Sequence, residues 1–157
     1  MTERAAPLEV SVRPYAAADQ ARLIEIWHAS KRDVYTFIPL EQTYTIENDT
    51  EFFRARIEPR CELFVAEVDA EIVGYMAMEG SYIDRLYVDP ARQRSGIGAR
   101  LIGEAKRRSP QGLQLHTHQK NERARCFYAK HEFVAVRFGV SPPPESEPDV
   151  EYHWRPK

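Results

Sequence analysis

One stretch of the sequence, from Ile83 to Ala105, constrains the fold more than any other, because it combines a strand, a short turn and a helix. Ile83 and Val88 are strand formers, and the Asp89-Pro90 pair that follows ends a hydrogen-bonded ladder. A helix is then predicted, because apolar residues recur at helical spacing: Ile97, Leu101, Ile102 and Ala105. The turn between strand and helix therefore marks the place where a ligand would meet the start of a helix.

Two glycines, Gly96 and Gly98, stand at the predicted start of this helix. The first turn of a helix presents backbone N–H groups without an internal partner, and the aligned peptide dipoles favour negative charge there. Glycine leaves those donors open to an anion, and Arg92 and Arg94 add positive charge nearby. The turn therefore fits a pyrophosphate. The glycines alone are explained equally well as a relief of crowding between strand and helix.

Two well-known phosphate-binding loops are excluded by the residues of this turn. It lacks the Gly-Lys-Ser/Thr sequence of a P-loop, and it lacks the third glycine of the dinucleotide-binding fingerprint. It resembles instead the acyl-CoA loop of the GCN5-related N-acetyltransferase (GNAT) family, Gln/Arg-x-x-Gly-x-Gly/Ala. Gln93, Gly96 and Gly98 fill its three defined positions, after the hydrophobic-Val-x-Pro strand end that is typical of the family.

Composition and charge exclude several other classes of protein. The 157 residues suffice for one domain with a two-layer core, and a charged fraction of 29% is ordinary for a globular protein. A net charge of -2 without a long basic block argues against a nucleic-acid partner, and no apolar run approaches the roughly 20 residues of a membrane helix. The N-terminus lacks the apolar segment of a signal peptide, and the two cysteines, Cys61 and Cys126, lack metal-ligand spacing and fit a reduced cytoplasmic protein.

The order of the predicted elements is β-α-α-β-β-β-α-β-α-β-β, a mixed α/β fold. The three strands before the central helix are joined by short turns and must be antiparallel. The strand Gly112–His118 follows that helix and is expected to run parallel to the central strand. This order matches the GNAT family over nearly the whole chain. The resemblance implies a largely antiparallel sheet with a splayed parallel central pair, in a single N-acetyltransferase domain that spans residues 1–157.

A second segment, from Asn121 to Phe133, strengthens the resemblance. It is similar to the family pattern Asn-x-x-Ala-x-x-Phe-Tyr-x-x-x-Gly-Phe, and it departs from that pattern at Glu132, where the family usually has glycine. A non-glycine residue in the left-handed conformation that ends such a helix costs roughly 1 kcal/mol. We expect this cost to affect the helix end and not the chemistry.

The resemblance implies which residues bind acetyl-CoA, the acyl-donor substrate. Backbone N–H groups of the turn bind the pyrophosphate, and the end of the central strand binds the pantetheine arm as if it were an added strand, with an N–H near Tyr87 facing the thioester oxygen. The implied residues are Leu86, Tyr87, Val88, Gln93, Arg94, Ser95, Gly96, Ile97, Gly98, Ala99, Asn121 and Tyr128. The pattern alone makes Leu86, Tyr87 and Val88 core strand residues, which is compatible with a role for their backbone.

Tyr128 matches the family tyrosine that lies beside the CoA sulfur and protonates the thiolate. A tyrosine with an ordinary pKa of about 10 stays protonated at pH 7, as a general acid must. Spacing alone favours a core aromatic on an amphipathic helix. Asn121 resembles the asparagine that contacts the pantetheine arm, and spacing alone makes it a helix N-cap, so we expect it to do both.

The general base stays open at this stage. The amine must lose a proton, directly or through an ordered water, and a histidine is well poised to accept one near neutral pH. The strand pattern alone favours His116 and His118 as the polar face of their strand over a catalytic role. The candidates are Glu79, Asp84, His28, His116 and His118.

The sequence therefore predicts an acetyl-CoA-dependent N-acetyltransferase that acts on a primary amine by direct attack in a ternary complex, since no cysteine in the turn could carry the acyl group. The alternatives are a non-catalytic acyl-CoA sensor and a nucleotide-binding module, the second disfavoured by the missing P-loop lysine. Aromatic residues and few acids in the first helices and the final hairpin favour a small or weakly basic acceptor. We expect a cytoplasmic enzyme without a metal, and Val150 to Trp154 is a candidate edge for a homodimer.

Overall fold

The computed structural model describes residues 9–93 and 95–157. Its strands are β1 (Ser11–Pro14), β2 (Glu62–Val68), β3 (Glu71–Glu79), β4 (Tyr82–Val88), β5 (Leu113–His118), β6 (Val134–Val140) and β7 (Pro148–Trp154). Its α-helices are α1 (Gln20–Val34), α2 (Ile46–Phe52), α3 (Ile97–Arg108) and α4 (Glu122–Lys130). The predicted order of strands and helices is confirmed, and α2 continues directly into a single π-helical turn, Phe53–Ile57.

All seven strands form one sheet in the order β1-β2-β3-β4-β5-β7-β6. Neighbouring strands are antiparallel except β4 and β5, which are parallel. That pair is joined where Tyr82 lies opposite Gln114, and the Gln114 N–H donates to the Ser81 carbonyl at 3.1 Å. The two strands separate toward their C-terminal ends, so the predicted splayed pair is present. The gap between them is the central feature of the molecule.

Each face of the sheet buries its own apolar cluster. Phe64 and Met76 point toward α3 and α4, whereas their neighbours Val65 and Tyr75 point toward α1 and α2, because successive strand residues face opposite sides. The α1 side is completed by residues at helical spacing, of which Leu23, Ile26 and Trp27 are buried. One face of the sheet thus belongs to α3 and α4, and the other to α1 and α2.

Asp19 stands directly before α1, and because aspartate is a preferred N-cap residue the sequence predicts that it caps this helix. In the structure, however, its side chain caps no N–H of α1. Its carboxylate accepts instead from the Arg13 guanidinium, at 2.8 and 3.0 Å, and from the Ala16 N–H at 2.8 Å. The Arg13 guanidinium lowers the pKa of Asp19, against the opposing effect of burial. An arginine on β1 therefore competes successfully with the helix for this carboxylate, which sequence spacing cannot reveal.

The end of α4 has the geometry that the sequence predicts for a glycine, with a glutamate in its place. Glu132 has a φ of 71°, in the left-handed region. The Phe133 N–H donates to the Tyr128 carbonyl at 3.0 Å, and the Glu132 N–H donates to the Ala129 carbonyl at 3.1 Å. These two bonds form a Schellman motif, whose usual apolar contact is made by the rings of Phe133 and Tyr128, 5.6 Å apart.

The expectation that Val150 to Trp154 forms an edge is wrong. These residues belong to β7, which lies between β5 and β6, and Val150, Tyr152 and Trp154 are all buried. The edge on this side of the sheet is β6. The segment between β6 and β7 is tied across its base, because the Ser141 N–H donates to the Glu147 carbonyl and the Glu147 N–H donates to the Ser141 hydroxyl.

Candidate active site

The segment that joins β4 to α3 is fixed at both ends by hydrogen bonds. Asp89 accepts the Ala91 N–H at 3.0 Å and an Arg22 N–H at 2.6 Å, while its own N–H donates to the Val73 carbonyl of β3. The Gln93 side-chain amide donates to the Val88 carbonyl at 3.0 Å. Gly96 then adopts a left-handed φ of 80° and α3 begins at the next residue. The first N–H groups of α3 are thereby presented to the gap beside β4 without a side-chain cap.

Both interpretations of the two glycines find support in this geometry. Gly96 needs its left-handed backbone, and a Cβ there would meet no atom within 4 Å. A Cβ on Gly98 would lie 3.0 Å from the ring of Phe127 on α4. Gly98 therefore lets α3 and α4 approach closely, and it also leaves the first helical N–H groups unobstructed. Relief of crowding and access to the helix start are properties of the same residue.

A cavity of about 640 Å³ lies along the open edge of β4 and ends at the start of α3. We call it the donor cavity. The predicted acetyl-CoA-binding residues that line it are Leu86, Tyr87, Val88, Gln93, Gly96, Ile97, Gly98, Ala99, Asn121 and Tyr128. Ser95 is not among the described residues that line it, and Arg94 lies outside the described residues. Arg92, Arg123 and Lys130 add positive charge to its wall.

The backbone of β4 has a free edge on the side of this cavity. Asp89 directs its N–H to β3, and successive residues of a strand direct their polar backbone groups to opposite edges. Leu86 and Val88 therefore present theirs to the gap between β4 and β5, and the Val88 carbonyl indeed accepts from Gln93 there. Tyr87 pairs with Tyr75 of β3 instead. The geometry thus favours Leu86 or Val88, and not Tyr87 itself, as the residue whose N–H faces a bound thioester.

Asn121 and Tyr128 reach the donor cavity from α4. The Asn121 side chain accepts the Ala124 N–H at 3.1 Å, so it is the N-cap that its spacing predicts, and it lines the cavity at the same time. Tyr128 is 8% exposed and lies in the apolar cluster beneath α4. Burial, followed by the neighbouring Tyr87 and Tyr82, raises the pKa of Tyr128 above its ordinary value. Its hydroxyl therefore stays protonated at neutral pH.

A second cavity, of about 1270 Å³, lies on the other side of β4 and β5, among α1, α2 and the β6–β7 segment. We call it the acceptor cavity. Its charged lining consists of seven carboxylates and four basic side chains: Glu41, Asp49, Glu51, Asp84, Glu145, Asp149 and Glu151, with Lys31, Arg56, Arg85 and Arg137. The expectation that this region holds few acids is wrong, because the carboxylates come from five separate segments and gather only in the folded chain.

The two cavities meet at the gap between β4 and β5. They share six lining residues: Tyr35, Asp84, Arg85, Tyr87, His116 and Thr117. The hydroxyls of Tyr35 and Tyr87 are 3.2 Å apart at this junction, and burial raises the pKa of both. The two cavities are therefore adjacent to each other at this junction.

The structure separates the five candidate bases. His28 and Glu79 line neither cavity, because His28 bonds Asp49 and Glu79 pairs with Arg60. Asp84 lines both cavities but lies within ion-pair distance of Arg85 and Arg60. The two histidines of β5 differ from each other. His116 has Tyr82 at one ring nitrogen and Glu151 at the other, whereas His118 has Glu145 at Nε2 only.

Sequence reasoning missed Arg85 and Glu145 as residues of this region. The Arg85 guanidinium lies 4.4 Å from the centroid of the Trp27 ring, and Arg85 lines both cavities. Two adjacent charged residues inside the predicted central strand, Asp84-Arg85, were a signal available in the sequence. Glu145 lies in an irregular segment, and its spacing carries no comparable signal.

Among the described residues, no group of three or more histidine, cysteine, aspartate or glutamate side chains is arranged to hold a metal ion. A search of the same residues finds no helix with the length and apolar character that crossing a membrane requires.

The seven-stranded mixed sheet with its splayed parallel pair defines the class of fold, and comparisons with known proteins identify the family. Residues 59–135 match the model of the acetyltransferase (GNAT) domain. Peptidyl-lysine N-acetyltransferase YjaB of Salmonella typhimurium is 31% identical over 125 residues, which cover 79% of this chain and 83% of the relative. The chain therefore belongs to the GNAT acetyltransferase family, and the prediction of an N-acetyltransferase is confirmed at that level.

Solved structures agree with this assignment. The solution structure of apo YjaB from Escherichia coli superimposes with a TM-score of 0.75 at 25% identity, over 93% of this chain and 97% of that one. YncA of Salmonella typhimurium, whose structure contains its cofactor acetyl-CoA, superimposes with a TM-score of 0.66 at 18% identity, over 93% of each chain. The second likeness shows a shared fold.

Proposed function

We propose that this protein transfers the acetyl group of acetyl-CoA to a cationic primary amine by direct attack inside a ternary complex. One observation carries the proposal, namely that the donor and acceptor cavities are adjacent at the gap between β4 and β5 and share six lining residues. An amine in one cavity can therefore reach a thioester in the other. No residue needs to carry the acyl group between them.

The donor cavity offers three kinds of contact to acetyl-CoA. The uncapped N–H groups at the start of α3 suit the pyrophosphate, because the helix dipole favours negative charge there. The free edge of β4 suits the amide groups of the pantetheine arm. YncA, a structural relative of this chain, has been solved with acetyl-CoA, which supports the same ligand here.

The residues around the gap suit the chemistry of acyl transfer. A backbone N–H of Leu86 or Val88 would donate to the thioester oxygen and stabilise the negative charge that develops when nitrogen attacks the carbonyl carbon. The C–S bond then breaks, and the Tyr128 hydroxyl would give its proton to the leaving thiolate. Tyr128 suits this role because its buried hydroxyl is protonated at neutral pH and lines the donor cavity.

The lining of the acceptor cavity favours a positively charged amine. Its carboxylates outnumber its basic groups, and a protonated alkylamine gains from such a field before it binds. The named activity of the relative from Salmonella typhimurium, a peptidyl-lysine N-acetyltransferase, points to the same chemistry. We therefore propose a lysine side chain or a comparable alkylamine as acceptor. A small, weakly basic acceptor stays a prediction from the sequence that the same experiment tests.

The test is release of free thiol from acetyl-CoA in the presence of four acceptor groups: lysine-containing peptides, the same peptides with norleucine in place of lysine, small alkylamines and weakly basic arylamines. We expect thiol release with lysine peptides and alkylamines, and mass spectrometry should find the acetyl group on the amine. Release with arylamines alone would contradict a cationic acceptor. Binding of acetyl-CoA without transfer to any member of the panel would contradict the proposed activity and favour an acyl-CoA-binding module.

A further inference from the structure

We propose that His118 is the general base of this site, that its Nδ1 takes the proton of the acceptor ammonium, and that Glu145 is the residue that positions it. The inference deepens the proposed function and rests on it. Neither residue is assigned a role by the matches to known proteins, and the sequence leaves five bases open.

The two ring nitrogens of His118 have different surroundings. Nε2 lies 2.5 Å from the Glu145 carboxylate, in the segment between β6 and β7. Nδ1 is buried and has no hydrogen-bond partner among the described residues. A carboxylate on one nitrogen fixes the tautomer with hydrogen at Nε2 and leaves the lone pair at Nδ1 free. An imidazole held in this way is ready to accept a proton from a bound group.

The ring of His118 is also held in place by aromatic neighbours. It packs edge-on against Tyr35, with ring centroids 4.8 Å apart, and against Phe37 at 5.7 Å. Only 12% of the side chain is exposed. Bulk water therefore has little access to Nδ1, whereas Tyr35 connects the ring to the junction of the two cavities.

His118 lies at the end of β5 that faces the acceptor cavity. β4 and β5 run in the same direction from the pair Tyr82 and Gln114, and they separate toward their C-terminal ends. His118 is the last residue of β5 and lines the acceptor cavity, whereas Leu86 of β4 lines the donor cavity. A base at His118 would therefore meet the amine on the acceptor side of the gap, before the amine reaches the thioester.

The charged groups around His118 suit an imidazole that becomes a cation. The hydrogen bond from His118 lowers the pKa of Glu145, so this carboxylate is ionised and stabilises the imidazolium. Glu41 is the next acid, and burial raises its pKa, while Lys31 is held by Asp49 and Glu41. Ser141 donates to the same oxygen of Glu145 at 3.0 Å and fixes the carboxylate.

The proton balance is complete without another reactant. The ammonium gives one proton to Nδ1, and the freed nitrogen lone pair forms the bond to the carbonyl carbon. The second N–H proton leaves as the amide forms, the C–S bond breaks, and Tyr128 supplies the proton to sulfur. Tyr128 is restored by that second proton, and the imidazolium returns its own proton to solvent after the products leave.

The first experiment compares rates at two pH values, with an alkylamine acceptor that the wild-type protein acetylates. His118→Ala should lower kcat/KM by about 100-fold at pH 7 and by less than about 10-fold near pH 9.5, because more of the amine then arrives already deprotonated. Glu145→Gln should lower it by about 10-fold at pH 7. Binding of acetyl-CoA should be unchanged in both. The control is His153→Ala, which removes another histidine paired with a glutamate, Glu151; His153 itself lines neither cavity.

A wild-type rate in His118→Ala at pH 7 would overturn the proposal, and so would a loss of equal size at both pH values. The second experiment needs no acetyl transfer. Nitrogen-15 NMR of the histidine rings should show His118 as the tautomer with hydrogen at Nε2 and a bare Nδ1, and Glu145→Gln should change that signal. Hydrogen at Nδ1 in the neutral ring would overturn the base assignment. If the wild-type protein acetylates no acceptor, the proposed function fails while this spectrum still decides the state of His118.

Discussion

The two cavities of this protein are built in opposite ways. The walls of the donor cavity come largely from the end of β4, the start of α3 and α4, and we propose that this cavity holds its ligand mainly through backbone N–H and C=O groups. The acceptor cavity is lined by side chains from α1, α2, β4, β5, β6, β7 and irregular segments between them. The difference teaches that a ligand held by backbone leaves a local sequence pattern, whereas a ligand held by side chains leaves none.

This comparison predicts its largest effect where the backbone of the donor cavity is blocked. Gly98→Glu should weaken acetyl-CoA binding by about 1000-fold, because a carboxylate about 4 Å from the pyrophosphate costs about 4 kcal/mol at an effective dielectric constant near 20. Isothermal titration calorimetry measures it.

The control for this change is Gly103→Glu. Gly103 is exposed on the same helix, and a Cβ there would meet no atom within 4 Å. Equal weakening by both substitutions would show that Gly98 acts through the stability of α3 and not through the ligand.

A smaller effect is expected where a single side chain serves the donor cavity. Tyr128→Phe should lower kcat by about 100-fold and leave acetyl-CoA affinity unchanged, because the hydroxyl is needed only when the thiolate leaves. Steady-state kinetics and calorimetry measure the two quantities. Tyr152→Phe is the control, since the Tyr152 hydroxyl bonds Arg125 away from both cavities. An unchanged kcat in Tyr128→Phe would remove Tyr128 from the mechanism.

The acceptor cavity should respond more weakly to loss of any one charge, because many carboxylates share its field. Glu41→Gln should raise KM for a lysine peptide by about 5-fold, or about 1 kcal/mol, and should leave KM for acetyl-CoA unchanged. The matched control is Glu25→Gln, an exposed carboxylate of α1 outside both cavities. A KM for acetyl-CoA that rises together with that for the peptide would break the proposed separation of the cavities.

Prediction from the sequence succeeded where local patterns decide the structure. Strand alternation, glycine at the start of α3 and the Asn121 cap were sufficient for the element order, whereas the splayed pair was implied by the family resemblance. It failed where distant residues compete. The Asp19 carboxylate pairs with Arg13 of β1 and does not cap α1. In the last hairpin the second strand, β7, pairs with β5, and β7 therefore lies between β5 and β6.

The same reason explains which parts of the candidate site could be predicted. Ten of the twelve predicted residues line the donor cavity. They could be predicted because they belong to two local stretches of the sequence, the end of β4 with the start of α3, and the motif of α4. The base could not be chosen, because the difference between His116 and His118 lies in Tyr82, Glu151 and Glu145, which only the folded chain brings near. The lining of the acceptor cavity was misjudged for the same reason.

The smallest effect concerns stability, at the one place where the sequence departs from its family pattern and the fold keeps the family geometry. Glu132→Gly should stabilise the protein by about 1 kcal/mol, because glycine adopts the left-handed backbone at Glu132 without steric cost. In a chain of this size that gain raises Tm by about 3 °C, measured by differential scanning calorimetry.

The control substitution, Ala129→Gly at an exposed position of α4, should have the opposite sign, with a loss of about 1 kcal/mol. Neither change should alter KM for either substrate. The Schellman motif fixes only the C-terminal end of α4, whereas Asn121 and Tyr128 are the residues of this segment that we expect to contact acetyl-CoA. A fall in stability for Glu132→Gly would mean that the glutamate side chain makes a contact worth more than its backbone strain.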